Sequence, residues 1–486
     1  MTFSRQSVLS GLLYLLVAST AAAQAPQCSM NASVVANLRI TGEAEPVGDL
    51  LVTCTGGTPT PIGQTVPGFN ITVTSPSAPI TSRLLAPNWS EALLIVDEPA
   101  EASQLACTTP TGNCLIQGTG TGANTYSGAQ GRPNIFQAQQ NNQSTLSFLG
   151  VPFDPPGAGG VRIFRFTNIR VNPSSLAVQV QVALSISITG AVNIPVNPPQ
   201  VVVATGSAPL NVIPKGVQTG VNGLAQFTLT FTEGYASAFK TRSTATDPAT
   251  SPAPVNQSIP NQFLPGVETH FYNSALPFVS GRGNLGQSGL ADSGTRFLVV
   301  FTGIPQGVSF ITNTNVALAP GSGTIRLVST DVNGGGSYQP AQSSTLFPNE
   351  TGTITAVFEV LKDDPQTIEH ADIPFTISYS SGAPRVDSIS ASTGLAPLNK
   401  TAAADLTAVG RAVQPAAVGN ADGDRPQEPQ ARLGSAARDD ARPRTVSDLA
   451  QARHAEHRRA CDDGLGAHVH RRDDRQLPAR VRECDG

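Results

Sequence analysis

The chain has 486 residues, of which 13% are charged and 5% aromatic, and its formal net charge is −4 with a pI near 5.9. This acidic balance argues against a nucleic-acid partner, which requires a basic face. After the N-terminal region no apolar run approaches the roughly 18 residues of a membrane-spanning helix, so the sequence predicts no integral membrane segment.

The N-terminus has the layout of a secretory signal peptide. Arg5 supplies a positive charge, residues 8–18 form an apolar run, and residues 21–23 offer an Ala-Ala-Ala cleavage site. The apolar run is too short for a permanent membrane anchor. We therefore predict a signal peptide over residues 1–23 and a mature protein that is secreted or lies at the cell surface.

Four cysteines follow early in the mature chain: Cys28, Cys54, Cys107 and Cys114. In an exported protein the default interpretation is two disulfides, for which three pairings exist. Sequence proximity favours Cys28–Cys54 and Cys107–Cys114, with loop-closure contributions of about 3.5 and about 2.5 kcal/mol. Redox catalysis is the alternative, but it would need a CxxC motif, and the sequence has none.

Short strands separated by Gly, Pro, Asn and Asp dominate the chain up to about residue 390. Alternation of β-branched and polar residues is typical of half-buried antiparallel strands. Residues 177–189, for example, place Val178, Val180, Val182 and Leu184 on one face. Residues 93–96 fit either a strand or a helical turn. The predicted strands are 70–74, 161–171, 177–189, 226–232, 296–302, 324–329, 352–361 and 373–379.

These elements predict an all-β protein made of two antiparallel β-sandwich domains, immunoglobulin-like in having about seven short strands each. The first domain is expected at 24–200 and the second at 201–390, meeting near the proline-rich segment 193–200. A weak internal repeat supports the division, because residues 162–169 are similar to residues 296–304. Chance similarity between short strands is the alternative.

The sequence changes character after residue 390. Residues 411–486 hold 14 Arg and 13 Asp or Glu, and past Lys400 there is no Lys, Ile, Phe, Tyr, Trp or Met. This vocabulary is typical of a GC-rich gene translated in the wrong frame, and we interpret 391–486 as a disordered, frameshifted tail. A genuine disordered, charged extension is the alternative.

Candidate catalytic groups have ordinary structural explanations. The acidic segments 97–99 and 362–365 are expected to be solvated turns, and segment 331–336 a glycine-rich hairpin loop rather than a calcium loop. Outside the tail the only histidines are His270 and His370, and no nucleophile or phosphate-binding motif is present. The irregular spacing of the tail's His and Cys residues argues against zinc: His454, His457, Cys461, His468, His470 and Cys484. We therefore predict no enzyme activity, no catalytic residue, no metal and no cofactor.

Aromatic residues are the remaining candidates for binding, because they can stack on sugar rings. Packing in the core or at strand corners is the alternative for each of them: Trp89, Tyr126, Tyr235, Phe271, Tyr272 and Tyr338. Our first functional hypothesis is a non-catalytic surface or extracellular protein making structural or adhesion contacts. The alternative is a carbohydrate-binding or glycosidase-accessory protein, so the expected partner is a surface protein or an extracellular polysaccharide.

Two further stretches carry a resemblance. Residues 47–57 (VGDLLVTCTGG) run from a strand through a cysteine into a glycine turn, and residues 164–171 (FRFTNIRV) form a second strand. Together with the signal peptide, they make the chain similar to uncharacterised exported β-rich proteins of soil bacteria, over about residues 28–390. The resemblance implies an exported β-rich fold and no particular activity.

Overall fold

The structure is a computed structural model that describes residues 25–191, 194–244 and 254–396, together with the backbone of one later strand, Gln414–Val418. The predicted signal peptide lies outside the described residues, and so does the predicted tail apart from residues 391–396 and that strand. The described part of the chain is all-β, as the sequence predicts, with only two short 3-10 turns besides its strands.

Fourteen strands make up the first part of the chain. They are β1 (Gln27–Ala32), β2 (Ala36–Arg39), β3 (Glu45–Pro46), β4 (Leu50–Gly56), β5 (Gly68–Thr74), β6 (Leu84–Ala86), β7 (Trp89–Val96), β8 (Ile135–Asn142), β9 (Thr145–Pro152), β10 (Gly157–Thr167), β11 (Arg170–Val171), β12 (Gln181–Thr189), β13 (Val196–Asn197) and β14 (Gln200–Ser207).

Thirteen strands follow. They are β15 (Leu210–Gly220), β16 (Gly223–Glu233), β17 (Phe278–Val279), β18 (Gly283–Asn284), β19 (Arg296–Thr302), β20 (Val308–Thr312), β21 (Asn315–Ala319), β22 (Thr324–Leu327), β23 (Thr345–Leu346), β24 (Ile354–Lys362), β25 (His370–Tyr379), β26 (Ile389–Leu395) and β27 (Gln414–Val418).

The first sheet has twelve strands in the order β13-β1-β4-β10-β7-β8-β9-β5-β12-β14-β2, with β6 paired to β7. Its neighbours are antiparallel except for β1–β13 and β14–β2, which are parallel. Alternate positions of each strand point into one continuous apolar core, as Phe164 and Phe166 of β10 and Leu184 of β12 do. The first cysteine pair ties β1 to its neighbour β4, because Cys28 and Cys54 lie directly opposite each other.

The second sheet has eleven strands in the order β15-β16-β25-β21-β22-β24-β19-β26-β27. In addition, β20 pairs with β25, and β23 pairs with β20. Phenylalanine rings fill the centre of its core. The ring of Phe301 lies 4.8 Å from that of Phe310 and 5.1 Å from that of Phe375, both edge to face. Such edge-to-face pairs add about 0.5–1.5 kcal/mol each to the burial of the rings.

The strand β15 ends the order of the second sheet and has an irregular backbone at its centre. Its pairing with β16 shifts register after Lys215, where Gly216 adopts a φ of +62°. Pro214, which comes just before Lys215, has no N–H group to donate to a further strand. A proline, a lysine and a bulge therefore follow one another along this outer edge.

Most predicted strands are confirmed, but the strand predicted at 177–189 begins later than predicted. Residues 296–302 coincide with β19, and residues 93–96 belong to the strand β7. The prediction for 177–189 is correct only from residue 181 onwards. Residues 177–180 form a turn with Gln179 at a φ of +69°, so that Val178 is 49% and Val180 38% exposed. Apolar alternation alone cannot distinguish this turn from the strand that follows it.

The two predicted domain boundaries fall inside strands. Residue 200 begins β14, which belongs to the first sheet, and the second sheet begins only with β15. Residue 390 lies within β26, where Ile389, Ala391 and Thr393 alternate into the core. Residues 391–395 are therefore a paired strand and not part of a tail. Proline content and charge density, on which the boundaries were placed, do not report strand pairing. The internal repeat stays a prediction.

Candidate functional site

A long connection, residues 234–295, separates β16 from β19, and its described part, which includes the short strand pair β17–β18, packs against the first sheet. Its apolar side chains Phe271, Leu276 and Leu285 share a small core with Leu93 and Ile95 of β7. We call the contact between this connection and the first sheet the seam. It is the place where the described structure concentrates its buried charges.

Arg39, at the end of β2, lies at the centre of one group of these charges and is only 2% exposed. Its guanidinium donates to both carboxylate oxygens of Glu45 and lies 2.8 Å from the carboxylate of Glu268. It also donates to the hydroxyl of Thr295 at 2.7 Å. Lys240 approaches the same Glu45 at 3.7 Å. Residues of the first sheet and of the connection thus share one ion network.

The charges of this network stabilise one another against the cost of burial. Burial acts against the guanidinium of Arg39, but Glu268 and Glu45 outweigh it and raise the pKa of Arg39 above its usual value. Burial also favours the neutral form of Glu45, yet Arg39 and Lys240 hold the pKa of Glu45 below its usual value. For Lys240 the balance differs, because burial lowers its pKa in spite of Glu45.

A second ion pair closes the seam from the side of β7 and β11. Arg170 donates to the carboxylate of Glu91 at 3.2 Å and to the backbone carbonyl of Glu268 at 2.8 Å. The other oxygen of Glu91 accepts the backbone N–H of Gly289 at 3.0 Å. Both partners are buried, Glu91 being 1% and Arg170 5% exposed. The pair therefore holds backbone of the connection to β7 of the first sheet and to β11.

His270 is a further titratable group of the connection, and it faces Asp49. Its Nε2 lies 3.6 Å from Oδ1 of Asp49, and both side chains are 10% exposed. The other oxygen of Asp49 accepts from Arg165 at 2.8 Å, and Arg165 also pairs with Glu98. Burial lowers the pKa of His270, with Asp49 opposing and Arg170 reinforcing the shift. The imidazole is therefore neutral at neutral pH.

The second disulfide makes the candidate binding element, an exposed loop that we call the disulfide loop, residues 107–115. Cys107 is buried and bonded to Cys114, while Leu115 beside it is 79% exposed. Inside the loop the hydroxyl of Thr109 donates to the carbonyl of Asn113 at 2.6 Å. Covalent and hydrogen bonds thus fix the backbone of an otherwise exposed turn.

Arg282 anchors this loop from the connection. Its guanidinium donates to the carbonyls of Cys107 at 3.0 Å and of Thr109 at 2.7 Å. It also lies over the ring of Trp89, 4.3 Å from the ring centroid, a cation–π arrangement. Because Arg282 is only 1% exposed, these contacts are shielded from water. The disulfide therefore closes the loop, and Arg282 fixes its backbone at Cys107 and Thr109.

The candidate aromatics for sugar stacking are mostly buried. Tyr126 is 4% exposed and donates its hydroxyl to the carbonyl of Pro152. Phe271, Tyr272 and Tyr338 are buried as well. Trp89 and Tyr235 are half-buried, and Arg282 covers one face of the Trp89 ring. Among the described aromatics, core and corner packing is thus the usual role.

The acidic turn at residues 97–99 is more structured than a solvated turn. Asp97 pairs with the buried Arg162, and Glu98 pairs with the buried Arg165, so each carboxylate has a structural partner on β10. Both acidic residues have positive φ angles, 60° and 45°. The prediction of a turn is correct, and the prediction that it is merely solvated is wrong. Pairing with β10 was not visible in the local sequence.

The turn at residues 362–365 also carries more than solvated acids. Asp363 faces Glu233 and Glu369 in a partly buried group of carboxyls. Burial, followed by the charge of Glu233, raises the pKa of Asp363 to about 9, and burial raises the pKa of Glu233 to about 7. Glu369 is fully buried and accepts the backbone N–H groups of Gly323 and of Asp364.

Segment 331–336 is a loop in which Oδ1 of Asp331 accepts two backbone N–H groups.

The sequence analysis missed the buried arginines that organise the seam. Arg39, Arg165 and Arg170 were not singled out as candidate residues. Arg39 reaches Thr295 across 256 residues of sequence. The available signal was the presence of arginines within strongly apolar strands, where a charge without a partner would be costly.

The described residues contain neither a metal-binding cluster nor a membrane-spanning helix. No group of three or more His, Cys, Asp or Glu side chains in the described ranges is arranged to hold a metal ion. Within the same ranges, no helix is long and apolar enough to cross a bilayer.

Comparison with known proteins gives matches among solved structures alone. No family model and no curated protein matches the chain. Among solved structures, the C-terminal domain of the antigen I/II polypeptide BspA of Streptococcus agalactiae covers 76% of this chain and 95% of its own length, at 9% identity and a TM-score of 0.26. The C-terminal domain of the antigen I/II-family protein AspA of Streptococcus pyogenes covers 76% and 94%, at 9% and 0.26. The collagen-binding domain of the surface protein RspB of Erysipelothrix rhusiopathiae covers 81% and 93%, at 9% and 0.16. These TM-scores are too low to assign a fold family or a partner to this chain.

Proposed function

We propose that the protein is an exported, non-catalytic protein that makes adhesion or structural contacts outside the cell. The observation that carries this proposal is the disulfide loop, whose exposed residues stand on a backbone fixed by Cys107–Cys114 and by Arg282. A loop held rigid in the free protein loses little conformational entropy on binding, and binding residues commonly lie on loops of rigid scaffolds.

The buried charges are consistent with a scaffold rather than an active site. Arg39, Glu91, Arg170 and Glu268 pair with one another or with backbone groups across the seam. Their chemistry is used to hold the connection to the first sheet. The two disulfides suit an oxidising, extracellular compartment, as the proposed signal peptide does.

The proposal includes a division into two β-sandwich domains of the immunoglobulin-like kind. Two observations support it: the described strands form two large sheets, and each sheet has its own large apolar core. In the proposed arrangement each sheet folds over on itself, and β15 begins the second domain. The likeness to exported β-rich proteins of soil bacteria is retained as part of this proposal.

Binding measurements on the full mature chain test the function. The chain is immobilised and presented with a panel of extracellular matrix proteins and of plant and microbial polysaccharides. We expect saturable binding to a protein member, weakened at least tenfold by Leu115→Arg. Val332→Arg is the matched control, because Val332 is similarly exposed (85%) but lies on another loop.

Three results would overturn the proposal. One is that no member of the panel binds saturably, and another is that Val332→Arg weakens binding as much as Leu115→Arg does. The third is release of sugars or peptides from a panel member, which would make the protein an enzyme. Saturable binding to polysaccharides alone would favour the carbohydrate-binding alternative.

A further inference from the structure

We propose that His270 makes the seam acid-sensitive, so that uptake of a proton by its imidazole loosens the connection from the first sheet. This acid-sensitive contact does not depend on the proposed binding function. The ring of His270 lies between the two parts that the seam joins.

The surroundings of His270 suit a neutral ring. Its Nδ1 has no hydrogen-bond partner among the described residues, and its Nε2 faces Oδ1 of Asp49 at 3.6 Å. The ring is packed near Phe263, edge to face at 6.4 Å. A protonated ring in this place would carry a buried N–H group without an acceptor, which is costly.

The charged groups around His270 do not compensate for an added proton. Asp49, between β3 and β4, is the nearest carboxylate; its Oδ2 already pairs with Arg165 of β10, and its Oδ1 faces the ring at 3.6 Å, beyond hydrogen-bond distance. Arg170 of β11 and Lys240 of the connection act against a positive ring, and Glu91 of β7 acts in its favour. Glu91 in turn is already paired with Arg170. A second cation would therefore share carboxylates that are in use.

Opening the seam would relieve this conflict. In an opened state the imidazole returns to water, where its pKa is about 6.5. Since burial lowers the pKa of His270 in the closed state, the opened state binds more protons as the pH falls. The closed seam is thus fully stable above a pH of about 6.5 and loses stability as the pH falls from there toward the lower pKa.

Hydrogen exchange at the seam, measured on the full mature chain, tests the proposal. Reporter amides are that of Gly289, which donates across the seam to the carboxylate of Glu91 at 3.0 Å, and that of His270, which donates to the carbonyl of Gly289 at 2.9 Å. We expect their protection factors to fall by up to tenfold per pH unit between pH 6.5 and pH 5, the limit for one proton. Amides of β19, in the second sheet, report global unfolding and are expected to change less.

Variants assign the effect to the ring. His270→Gln, which keeps a polar side chain but does not titrate, should abolish the pH dependence at the seam amides. His370→Gln, on β25, is the matched control and should behave as the unmodified chain does. The proposal is overturned where seam protection is constant from pH 7.5 to 5, or where His270→Gln retains the full fall.

A second measurement decides the matter where His270→Gln does not fold. Histidine ring resonances of the unmodified chain are followed by NMR from pH 8 to 5. A midpoint for His270 below the value of about 6.5 of a free imidazole supports the proposal. A midpoint at or above that value overturns it.

Discussion

The guanidinium of Arg39 on β2 lies 2.8 Å from the carboxylate of Glu268, and both side chains are almost completely buried. One partner belongs to the first sheet and the other to the connection before β19. This pair is the most direct ionic link across the seam, and it depends on both charges being present. Removing Glu268 leaves Arg39 with Glu45 alone, a carboxylate that Lys240 also approaches.

Breaking this link should destabilise the fold strongly. We expect Glu268→Gln to lower the free energy of unfolding by about 1.5–3 kcal/mol, because Arg39 loses one charged partner and keeps only Glu45, which it shares with Lys240. Urea unfolding followed by circular dichroism measures the change. Asp387→Asn is the control: its pair with Arg385 is 64% exposed on both sides and should contribute less than about 1 kcal/mol. Equal effects of the two variants would contradict the expectation.

The cross-strand disulfide between β1 and β4 should contribute more to stability than the disulfide of the loop. Cys28 and Cys54 are separated by 26 residues, and Cys107 and Cys114 by 7. The longer closed loop restricts the unfolded chain more, so replacing both cysteines by serine should cost about 3.5 kcal/mol at the first pair and about 2.5 kcal/mol at the second. Urea midpoints of the two double variants, compared in one buffer, check the order.

Gly112→Ala should disturb the disulfide loop in a way that Gly63→Ala does not. Both glycines have φ near +77°, at +78° and +76°, so each substitution carries the same backbone strain of roughly 1 kcal/mol. At Gly112, however, a Cβ atom would lie 3.0 Å from the ring of Trp89, whereas at Gly63 it meets open space.

Tryptophan fluorescence measures this difference directly, because Trp89 is the only tryptophan of the chain. We expect the emission of Gly112→Ala to shift and its unfolding free energy to fall further than that of Gly63→Ala. Identical spectra and identical stabilities of the two variants would show that the loop yields without cost.

The carboxyl group of Asp363 should make the fold less stable as the pH rises. Burial and the charge of Glu233 raise its pKa to about 9, far above the value of 3.8 in an unfolded chain. The folded state therefore keeps a proton that the unfolded state has lost, and its stabilising effect disappears between about pH 4 and about pH 9. Asp363→Asn, which mimics the protonated form, should reduce this loss.

Chemical denaturation at intervals from pH 5 to pH 9 tests the effect of Asp363. The difference in stability between the unmodified chain and Asp363→Asn isolates it from the opposite trend expected of His270 at acidic pH. Asp387→Asn, an exposed substitution, should give a difference that does not vary with pH. A pH-independent difference for Asp363→Asn as well would contradict the prediction.

The sequence was sufficient to predict what depends on local pattern. Alternation placed Val182 and Leu184 correctly in β12, and the short spacing of the cysteines favoured the two pairs found in the structure. The seam could not be predicted in this way, because Arg39 meets Thr295 across 256 residues of sequence. Nothing near Arg39 in the sequence shows that the carboxylate of Glu268 will be brought to it.

The same limit applies to the candidate binding loop. Its disulfide follows from proximity, but its anchor, Arg282, comes from a hairpin turn about 170 residues later and has no recognisable motif. Trp89 was therefore considered as an exposed sugar platform, although Arg282 covers one face of its ring. Side-chain partners that arrive from distant segments decide which aromatics stay accessible.

The interrupted edge of β15 affects whether copies of the protein aggregate at high local concentration. Pro214 lacks an N–H group, Lys215 carries a charge, and Gly216 breaks the regular spacing of the strand. Edges of this kind are poor templates for aggregation between neighbouring chains. Molecules crowded into a dense layer would therefore remain separate there instead of growing into fibres, and each would keep its own loops accessible.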